Sequence, residues 1–307
     1  MTNTYSSWEP EREIDILAGT PPGGGLDRTA RALAAALLSN GVACKVVNVP
    51  GDGARRVWAS VDARAGDPHL LCISSPNLAT DFLTGLAAFN HANYTPLAIL
   101  YNEYIAFVVR SDSSYRSAGD LLKRLRTNAA KVTVALSTAA GNPNHIALAQ
   151  VIRHAGGDVR APVIHVFDSA LDAVADVVAG IADIAAVTAA SAVKELEAGT
   201  LRALAVSAPA RLSGWYGQTP TWIEIGTPCT LGAWRGAHGA RGLSAPHIAF
   251  WEQTLTKATQ AASWAPELER QSLSPMLVTG AALATHLERE QNDMATMLAA
   301  LGFDCRV

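Results

Sequence analysis

Hydrophobic and polar positions follow two periods that succeed each other along this chain. Residues 13–18 alternate in the manner of a strand, and the apolar residues after them, such as Leu26, Leu33 and Leu37, recur at the spacing of one helix face. The same order repeats through most of the sequence. Further strands are predicted at residues 44–49, 70–74, 97–100, 131–136, 162–166, 183–187 and 201–207, and residues 104–110 form a further apolar run. Strands that alternate with helices predict an α/β fold with parallel, doubly wound sheets.

Two later segments break this alternation. Residues 209–242 are rich in glycine, proline and tryptophan, so we expect them to be irregular. From Ser244 to the end the pattern is mostly helical, with a last helix at about residues 281–301. No stretch of about 18 unbroken apolar residues occurs, and the sequence therefore predicts no membrane span.

A glycine-rich stretch at residues 21–27 joins the first strand to the first helix. Glycine lets a backbone come close to a ligand, and the first turn of a helix offers free N–H groups with a partial positive charge. We therefore expect Gly23, Gly24, Gly25 and Leu26 to bind an anion such as a carboxylate or phosphate. Asp27 is expected to cap the helix or to meet an amino or hydroxyl group of the ligand. A plain strand–helix turn is the alternative, and neither the P-loop nor the dinucleotide motif is present.

A second loop of small residues has the same position between a strand and a helix. It contains Ser137, Thr138 and Ala139, and Asn142 then precedes a proline at the predicted helix start. Their hydroxyl and amide groups, with those of Asn144, are expected to hold a second anionic group. His145 falls in the first helical turn, where a neutral ring is favoured, and it either contacts ligand or makes a structural hydrogen bond. Two such loops that face each other would hold a ligand with two anionic ends.

Four further residues are candidates with an open role. Ser75 and Asn77 follow a strand end that should lie at a cleft. Asp168 follows the strand at 162–166 and either precedes a helix cap at Ser169 or meets the ligand. Arg235 either neutralises a carboxylate through its two-pronged guanidinium or forms a salt bridge.

Composition narrows the functional classes. The chain has 307 residues, which indicates one large domain or two ordinary ones, and its formal net charge of -3 gives no basic surface for nucleic acid. The cysteines Cys44, Cys72, Cys229 and Cys305 lack metal-ligand spacing, so neither a metal site nor a cofactor is expected. The first ten residues are polar without a secretory leader pattern, which predicts a cytoplasmic protein or one whose leader has been removed.

Six segments in a fixed order resemble those of a known family. They are residues 16–27 with Pro-Pro-Gly-Gly, 48–51 with Asn-Val-Pro-Gly, 66–69 with Gly-Asp-Pro-His, 137–145 with the second loop, 198–206 with Ala-Gly-Thr-Leu-Arg-Ala-Leu-Ala-Val, and 234–236 with Trp-Arg-Gly. In this order they resemble the solute-binding receptors of tripartite tricarboxylate transporters, the Bug or TctC type.

The resemblance implies a periplasmic-binding-protein type II-like architecture of two doubly wound α/β lobes with a hinge and a ligand cleft. Lobe 1 would hold residues 1–106 plus 231–307, and lobe 2 residues 107–230. It also implies a small carboxylate as ligand, membrane transporter subunits as partners, and a periplasmic location if a leader was removed. Glu103 would be a hinge residue.

The chain departs from the family pattern at residues 167–170, where Asp168 replaces an uncharged turn, and at residues 237–242, where a Pro-Gly motif is missing. Two functional hypotheses follow. The first is a binding protein that captures a small organic anion, a di- or tricarboxylate or a related acid. The alternative is a cytoplasmic isomerase, decarboxylase or lyase that uses Asp168, His145 and Asp27 as acid/base groups in the same cleft.

Overall fold

The computed structural model describes residues 8–306. Its strands are β1 (Ile14–Ala18), β2 (Cys44–Asn48), β3 (Leu70–Ser74), β4 (Thr95–Asn102), β5 (Ile105–Arg110), β6 (Thr133–Ser137), β7 (Val163–Phe167), β8 (Ile184–Thr188), β9 (Leu201–Val206), β10 (Arg235–Gly239) and β11 (Ser274–Thr279). Its helices are α1 (Gly25–Ser39), α2 (Arg56–Asp62), α3 (Asn77–Leu83), α4 (Ala118–Asn128), α5 (Pro143–Ala155), α6 (Ala170–Val178), α7 (Val193–Glu197), α8 (Ala245–Thr259), α9 (Trp264–Arg270) and α10 (Gly280–Ala300).

The strands form two separate sheets. One has six strands in the order β11-β4-β10-β3-β1-β2, and the other has five in the order β7-β6-β8-β5-β9. We call each sheet with the helices packed on it the six-stranded half and the five-stranded half. The chain passes from one half to the other between β4 and β5 and returns between β9 and β10. The expected boundary between residues 106 and 107 lies within β5, and the assignment of residue ranges to lobes stays a prediction.

Both sheets are mixed, whereas the sequence predicted parallel ones. In the six-stranded sheet β1 runs parallel to β2 and β3, but β10 is antiparallel to β3 and β4, and β11 is antiparallel to β4. In the five-stranded sheet β6 runs parallel to β7 and β8, and β5 is antiparallel to β8 and β9. Two of the reversed strands, β5 and β10, are the first strands that the chain forms after it crosses into a half, and the third, β11, lies at the edge of the six-stranded sheet.

The prediction missed two strands. The segment at 209–242 was expected to be irregular, yet β10 lies there, fully buried between β3 and β4. The region after Ser244 was expected to be helical, yet it contains the edge strand β11. The sequence of β10, Arg-Gly-Ala-His-Gly, carries neither alternation nor β-branched residues, because this central strand is covered on both faces and all five of its residues are buried.

Each half has its own apolar core. Trp251 of α8 is fully buried on the six-stranded sheet, and Trp222 is fully buried against Phe107 of β5 in the five-stranded half. A third apolar cluster joins the halves, because Leu298 of α10 packs with Leu83 of α3 and Ile146 of α5. The C-terminal helix therefore bridges the two halves through its contacts with α3 and α5.

Over residues 8–306, no helix combines the length and the apolar character needed to cross a membrane. The four cysteines are unpaired. The described part of the chain also contains no group of three or more histidine, cysteine or acidic side chains that could hold a metal ion.

Candidate functional site

A cavity of about 70 Å³ lies between the two halves, at the ends of β1, β3, β6, β7 and β8. One water needs roughly 10–15 Å³ by this measure, so the cavity has space for a molecule of a few heavy atoms. Its lining is mixed: 12 of the 19 residues are polar or charged, and the other seven are glycine, alanine or leucine. The lining residues are Thr20, Gly24, Gly25, Leu26, Ala54, Ser75, Asn77, Ser137, Thr138, Asn142, Asn144, Asp168, Ser169, Ala170, Leu171, Thr188, Ser191, Ala233 and Arg235.

Ten of the fourteen residues predicted as ligand contacts line this cavity. They are Gly24, Gly25, Leu26, Ser75, Asn77, Ser137, Thr138, Asn142, Asn144 and Asp168. The other four, Gly23, Asp27, Ala139 and His145, lie outside its lining.

The first turn of α1 presents free backbone donors to the cavity. Gly24 is the N-cap, and its N–H donates to the Pro21 carbonyl at 2.9 Å. The N–H groups of Gly25 and Leu26 have no hydrogen-bond partner among the described residues. These two N–H groups, at the positive end of a 15-residue helix, are suited to an anion.

Asp27 supports this turn from behind and is not its N-cap, contrary to the prediction. Its Oδ2 accepts hydrogen bonds from Gly23 N at 2.8 Å and Arg31 Nε at 3.0 Å, and its Oδ1 accepts one from Asn48 Nδ2 at 2.8 Å. The carboxylate is almost fully buried. The Gly23 N–H that was expected to face the ligand is therefore occupied by Asp27, which fixes the shape of the loop.

The environment of Asp27 keeps it ionised. Burial alone would raise the pKa of this carboxyl, but the hydrogen bonds from Arg31, Asn48 and Gly23 outweigh burial and lower the pKa below its usual value. A carboxylate with three donors is not available as a proton acceptor.

The loop after β6 is organised around the hydroxyl of Thr138. This oxygen accepts hydrogen bonds from Asn142 Nδ2 at 2.9 Å and from Asn77 Nδ2 at 2.8 Å, and it donates to the Ser137 carbonyl at 2.7 Å. Asn142 is the N-cap of α5, because its side-chain oxygen accepts from His145 N at 3.0 Å. Thr138 adopts a positive φ of 66°, which turns the loop toward the cavity.

His145 has a structural role. Its Nδ1 accepts a hydrogen bond from Gly141 N at 3.0 Å, and its ring lies edge-on to Phe303. Burial lowers the pKa of His145 to about 4, so the ring is neutral at pH 7. The expected alternative of ligand contact finds no geometric support, because the ring is outside the cavity lining.

A third helix N-terminus faces the cavity, and the sequence analysis did not assign it to the site. Ser169 caps α6, and its hydroxyl accepts a hydrogen bond from Asp172 N at 3.2 Å. The N–H groups of Ala170 and Leu171 have no partner within the described chain, and both residues line the cavity. The signal that could have identified this turn is a strand followed directly by a Ser-x-x-Asp capping pattern, at residues 163–172.

Arg235 brings a buried positive charge to the edge of the cavity. Its Nη2 lies 2.7 Å from Glu103 Oε2, and the two side chains are only 9% and 2% exposed. Its Nη1 donates to the carbonyls of Ala233 and Trp234, whereas its Nε is buried without a partner in the described structure. A Cβ on Gly25 would lie 3.5 Å from Arg235 Nη2 and 4.0 Å from Nε, so the guanidinium stands beside the first turn of α1.

Two hydroxyls at the end of β8 were also missed. Thr188 Oγ1 and Ser191 Oγ lie 3.0 Å apart, both are buried, and both line the cavity. Short runs of alanine around them gave no pattern that separates a ligand contact from an ordinary strand end.

The arrangement fits reversible anion binding. Unpaired N–H groups from α1 and α6, side-chain amides and hydroxyls, and a buried guanidinium surround one cavity. Of the three acid/base candidates, Asp168 lines the cavity, whereas Asp27 and His145 are held by structural hydrogen bonds. Within the described residues, therefore, neither Asp27 nor His145 lines the cavity together with Asp168.

Known proteins with the same fold are similar over nearly the whole chain. Rpa4515 of Rhodopseudomonas palustris, solved with adipate, is 20% identical, with 95% of this chain and 98% of that chain covered and a TM-score of 0.85. The periplasmic binding protein BugD is 18% identical, with 96% and 99% covered and a TM-score of 0.83. These likenesses confirm the predicted fold class, two α/β units of the periplasmic-binding-protein type.

A sequence relative is the UPF0065 protein in the tcbD–tcbE intergenic region of Pseudomonas sp. strain P51. It is 29% identical over 204 residues, which cover 64% of this chain and 59% of the relative. The aligned part of the chain therefore spans less than two thirds of that protein.

The family model of the tripartite tricarboxylate transporter family receptor, TctC, matches residues 33–302. The match extends from α1 to the end of α10 and includes both halves and most of the cavity lining. The resemblance seen in the six sequence segments is thereby confirmed, and the chain belongs to the tripartite tricarboxylate transporter receptor family.

Proposed function

We propose that this chain is a solute-binding receptor that captures a small organic anion, a di- or tricarboxylate or a related carboxylic acid, in the cavity between its halves. The observation that carries the proposal is the set of unpaired N–H groups of Gly25, Leu26, Ala170 and Leu171 around one cavity. Such groups favour a carboxylate, because it accepts several hydrogen bonds at once and is attracted by the helix dipoles. The family description and the adipate bound by Rpa4515 support the same ligand class.

The receptor would hand its ligand to the membrane subunits of a tripartite transporter, and it would act in the periplasm. Support comes from the family and from the likeness to the periplasmic binding protein BugD. Mass spectrometry of the mature N-terminus from the native host, combined with fractionation, tests the location. Recovery of the chain in the cytoplasm would contradict it.

The ligand class is tested by thermal unfolding against mono-, di- and tricarboxylates, aromatic acids and acidic amino acids. A ligand that binds the native state raises the unfolding midpoint in proportion to its affinity and concentration. Uncharged amides of the same acids serve as controls and should have no effect. Recovery of the ligand unchanged by NMR supports a receptor, whereas conversion of the ligand would support the alternative of an enzyme.

The backbone donors are tested by one pair of substitutions. Gly25→Pro removes a single N–H at the first helical position, where proline is tolerated, and Gly25→Ala adds a side-chain carbon but keeps that N–H. A hydrogen bond to a charged group contributes about 1.5–3 kcal/mol, so affinity should fall roughly 10- to 100-fold in Gly25→Pro. Equal affinities of the two variants would contradict the assignment of this N–H to the ligand.

A further inference from the structure

The cavity lining contains two charged residues, and their charges are not balanced in the same way. Arg235 is paired with Glu103 at 2.7 Å, inside the protein. Asp168 also lines the cavity, but its carboxylate forms neither a hydrogen bond nor an ion pair with any residue of the described range 8–306. The cavity therefore has a negative charge that the protein itself leaves without a partner.

The fold does not use the Asp168 carboxylate. It stands immediately after β7 and one position before the helix cap, and Ser169 performs the capping of α6 through Asp172. The Asp168 side chain lines the cavity and is exposed to solvent, whereas the other carboxylate close to it in sequence, Asp172, accepts a hydrogen bond from Ser169 Oγ at 2.6 Å. A role in folding therefore does not account for Asp168.

We infer that the ligand carries an ammonium group as well as a carboxylate, and that Asp168 binds this ammonium group. The inference rests on the proposed function and narrows it to zwitterionic acids. The carboxylate of the ligand would take the N–H groups of Gly25 and Leu26 and the unpaired Nε of Arg235. The ammonium group would then meet the carboxylate of Asp168 from the five-stranded half.

Charge complementarity gives this arrangement its selectivity. An acid without an ammonium group leaves Asp168 unpaired, and a second carboxylate brought to the same place is repelled by it. Asp168 is exposed even with the halves in contact, so water and salt screen the pair and the preference should be modest. The same cavity without the carboxylate of Asp168 would lose this preference and keep its affinity for a carboxylate.

The test is calorimetric titration of the full chain with matched acids that differ by one ammonium group. Suitable pairs are aspartate and succinate, glutamate and glutarate, 2-aminoadipate and adipate, and 4-aminobutyrate and butyrate. The variants are Asp168→Asn and Asp168→Lys, and the control is Asp293→Asn, an exposed aspartate of α10 outside the cavity lining.

For at least one pair, the wild-type protein should bind the ammonium-bearing acid roughly fivefold tighter or more. Asp168→Asn should abolish the difference, Asp168→Lys should reverse it in favour of the acid without an ammonium group, and Asp293→Asn should retain it. Equal or tighter binding of every ammonium-free acid by the wild type overturns the inference and leaves the proposed function standing. Failure of the wild type to bind any member of any pair overturns both.

Discussion

The side chain of Asn77 donates a hydrogen bond of 2.8 Å to Thr138 Oγ1 and so connects the two halves of the molecule across the cavity. Asn77 is the first residue of α3 in the six-stranded half, and Thr138 follows β6 in the five-stranded half. Both line the cavity, so this hydrogen bond exists only while the halves are close together.

Asn77→Ala is expected to weaken ligand affinity about fivefold, because a side-chain hydrogen bond contributes about 1 kcal/mol and this one forms only in the closed arrangement. Calorimetric titration with the best ligand of the carboxylate panel gives the affinity, and small-angle scattering gives the radius of gyration, which should increase. Asn292→Ala, exposed on α10, is the matched control. Unchanged affinity and dimensions would show that this hydrogen bond does not contribute to closure.

Gly53→Ala is expected to keep the halves apart. A Cβ at Gly53 would lie 2.6 Å from the carbonyl oxygen of Thr138 in the opposite half, and backbone cannot yield as a side chain can. Separation of the halves relieves this clash, so ligand affinity should fall and the radius of gyration should increase. The measurements are titration and small-angle scattering.

Gly66→Ala is the control that separates the effect of the Gly53–Thr138 contact from the effect of backbone strain at a positive φ. Gly66 also has a positive φ, 77°, but a Cβ there would have no neighbour within 4 Å. Both variants should lose about 1 kcal/mol of stability, because alanine is disfavoured at positive φ. The same loss of ligand affinity in Gly66→Ala would refute the role of the Gly53–Thr138 contact.

Arg235→Gln should destabilise the protein by about 3 kcal/mol, because it leaves the buried carboxylate of Glu103 with only the more distant Arg28 Nη2, 4.0 Å away, as an ion-pair partner. The double variant Glu103→Gln/Arg235→Gln removes both charges and should recover part of that loss. Urea unfolding of the wild type, both single variants and the double variant measures the coupling. A double variant no more stable than Arg235→Gln would show that this pair does not explain the effect.

Glu290→Gln should stabilise the protein at pH 8 and leave its stability unchanged at pH 4. Burial raises the pKa of Glu290 from 4.5 to about 7 in the folded state, where its Oε2 accepts a hydrogen bond from Trp234 Nε1 at 2.7 Å. The unfolded chain therefore releases this proton at lower pH than the folded chain. Stability is lost as the pH rises from about 4.5 to about 7, and the loss is complete above that range.

Removal of this group should thus raise the free energy of unfolding by about 3 kcal/mol at pH 8, since one pKa unit corresponds to 1.36 kcal/mol. Urea denaturation at both pH values measures the difference. Glu288→Gln, exposed on the same helix, should have no effect at either pH. An equal gain at pH 4 and pH 8 would mean that titration of Glu290 is not its cause.

The sequence was sufficient to predict the fold class and most of the cavity lining, because both depend on local signals. The loop after β1 is rich in glycine, and the loop after β6 has small residues and a proline at a helix start. Each of these patterns predicts a turn from a strand into a helix without reference to the rest of the chain. Asn142 is such a case, since an asparagine before a helical proline acts as an N-cap wherever the helix lies.

Predictions that depended on distant partners were less successful. Asp27 appeared to be a helix cap, but Asn48, 21 residues further along the chain, and Arg31 turn its carboxylate away from the cavity. The strand β10 pairs with β3 and β4, which lie more than 130 positions earlier, and its own five residues carry no strand pattern. Local sequence patterns do not reveal contacts of this kind, because the partner residues lie far away along the chain.

The placement of β10 has a consequence for the order in which the protein acquires its structure during synthesis. All five strands of the five-stranded half have been synthesised by Val206, and its apolar core, which includes Trp222, is complete before Arg235 is made, so that half can fold early. The six-stranded sheet lacks a strand in its interior until Arg235–Gly239 arrives, and until then β3 and β4 have no bridge between them. We therefore expect β1 to β4 to stay incompletely paired on the ribosome until the last quarter of the chain has been synthesised. Such an intermediate exposes strand edges and is prone to aggregation, so it should need a chaperone.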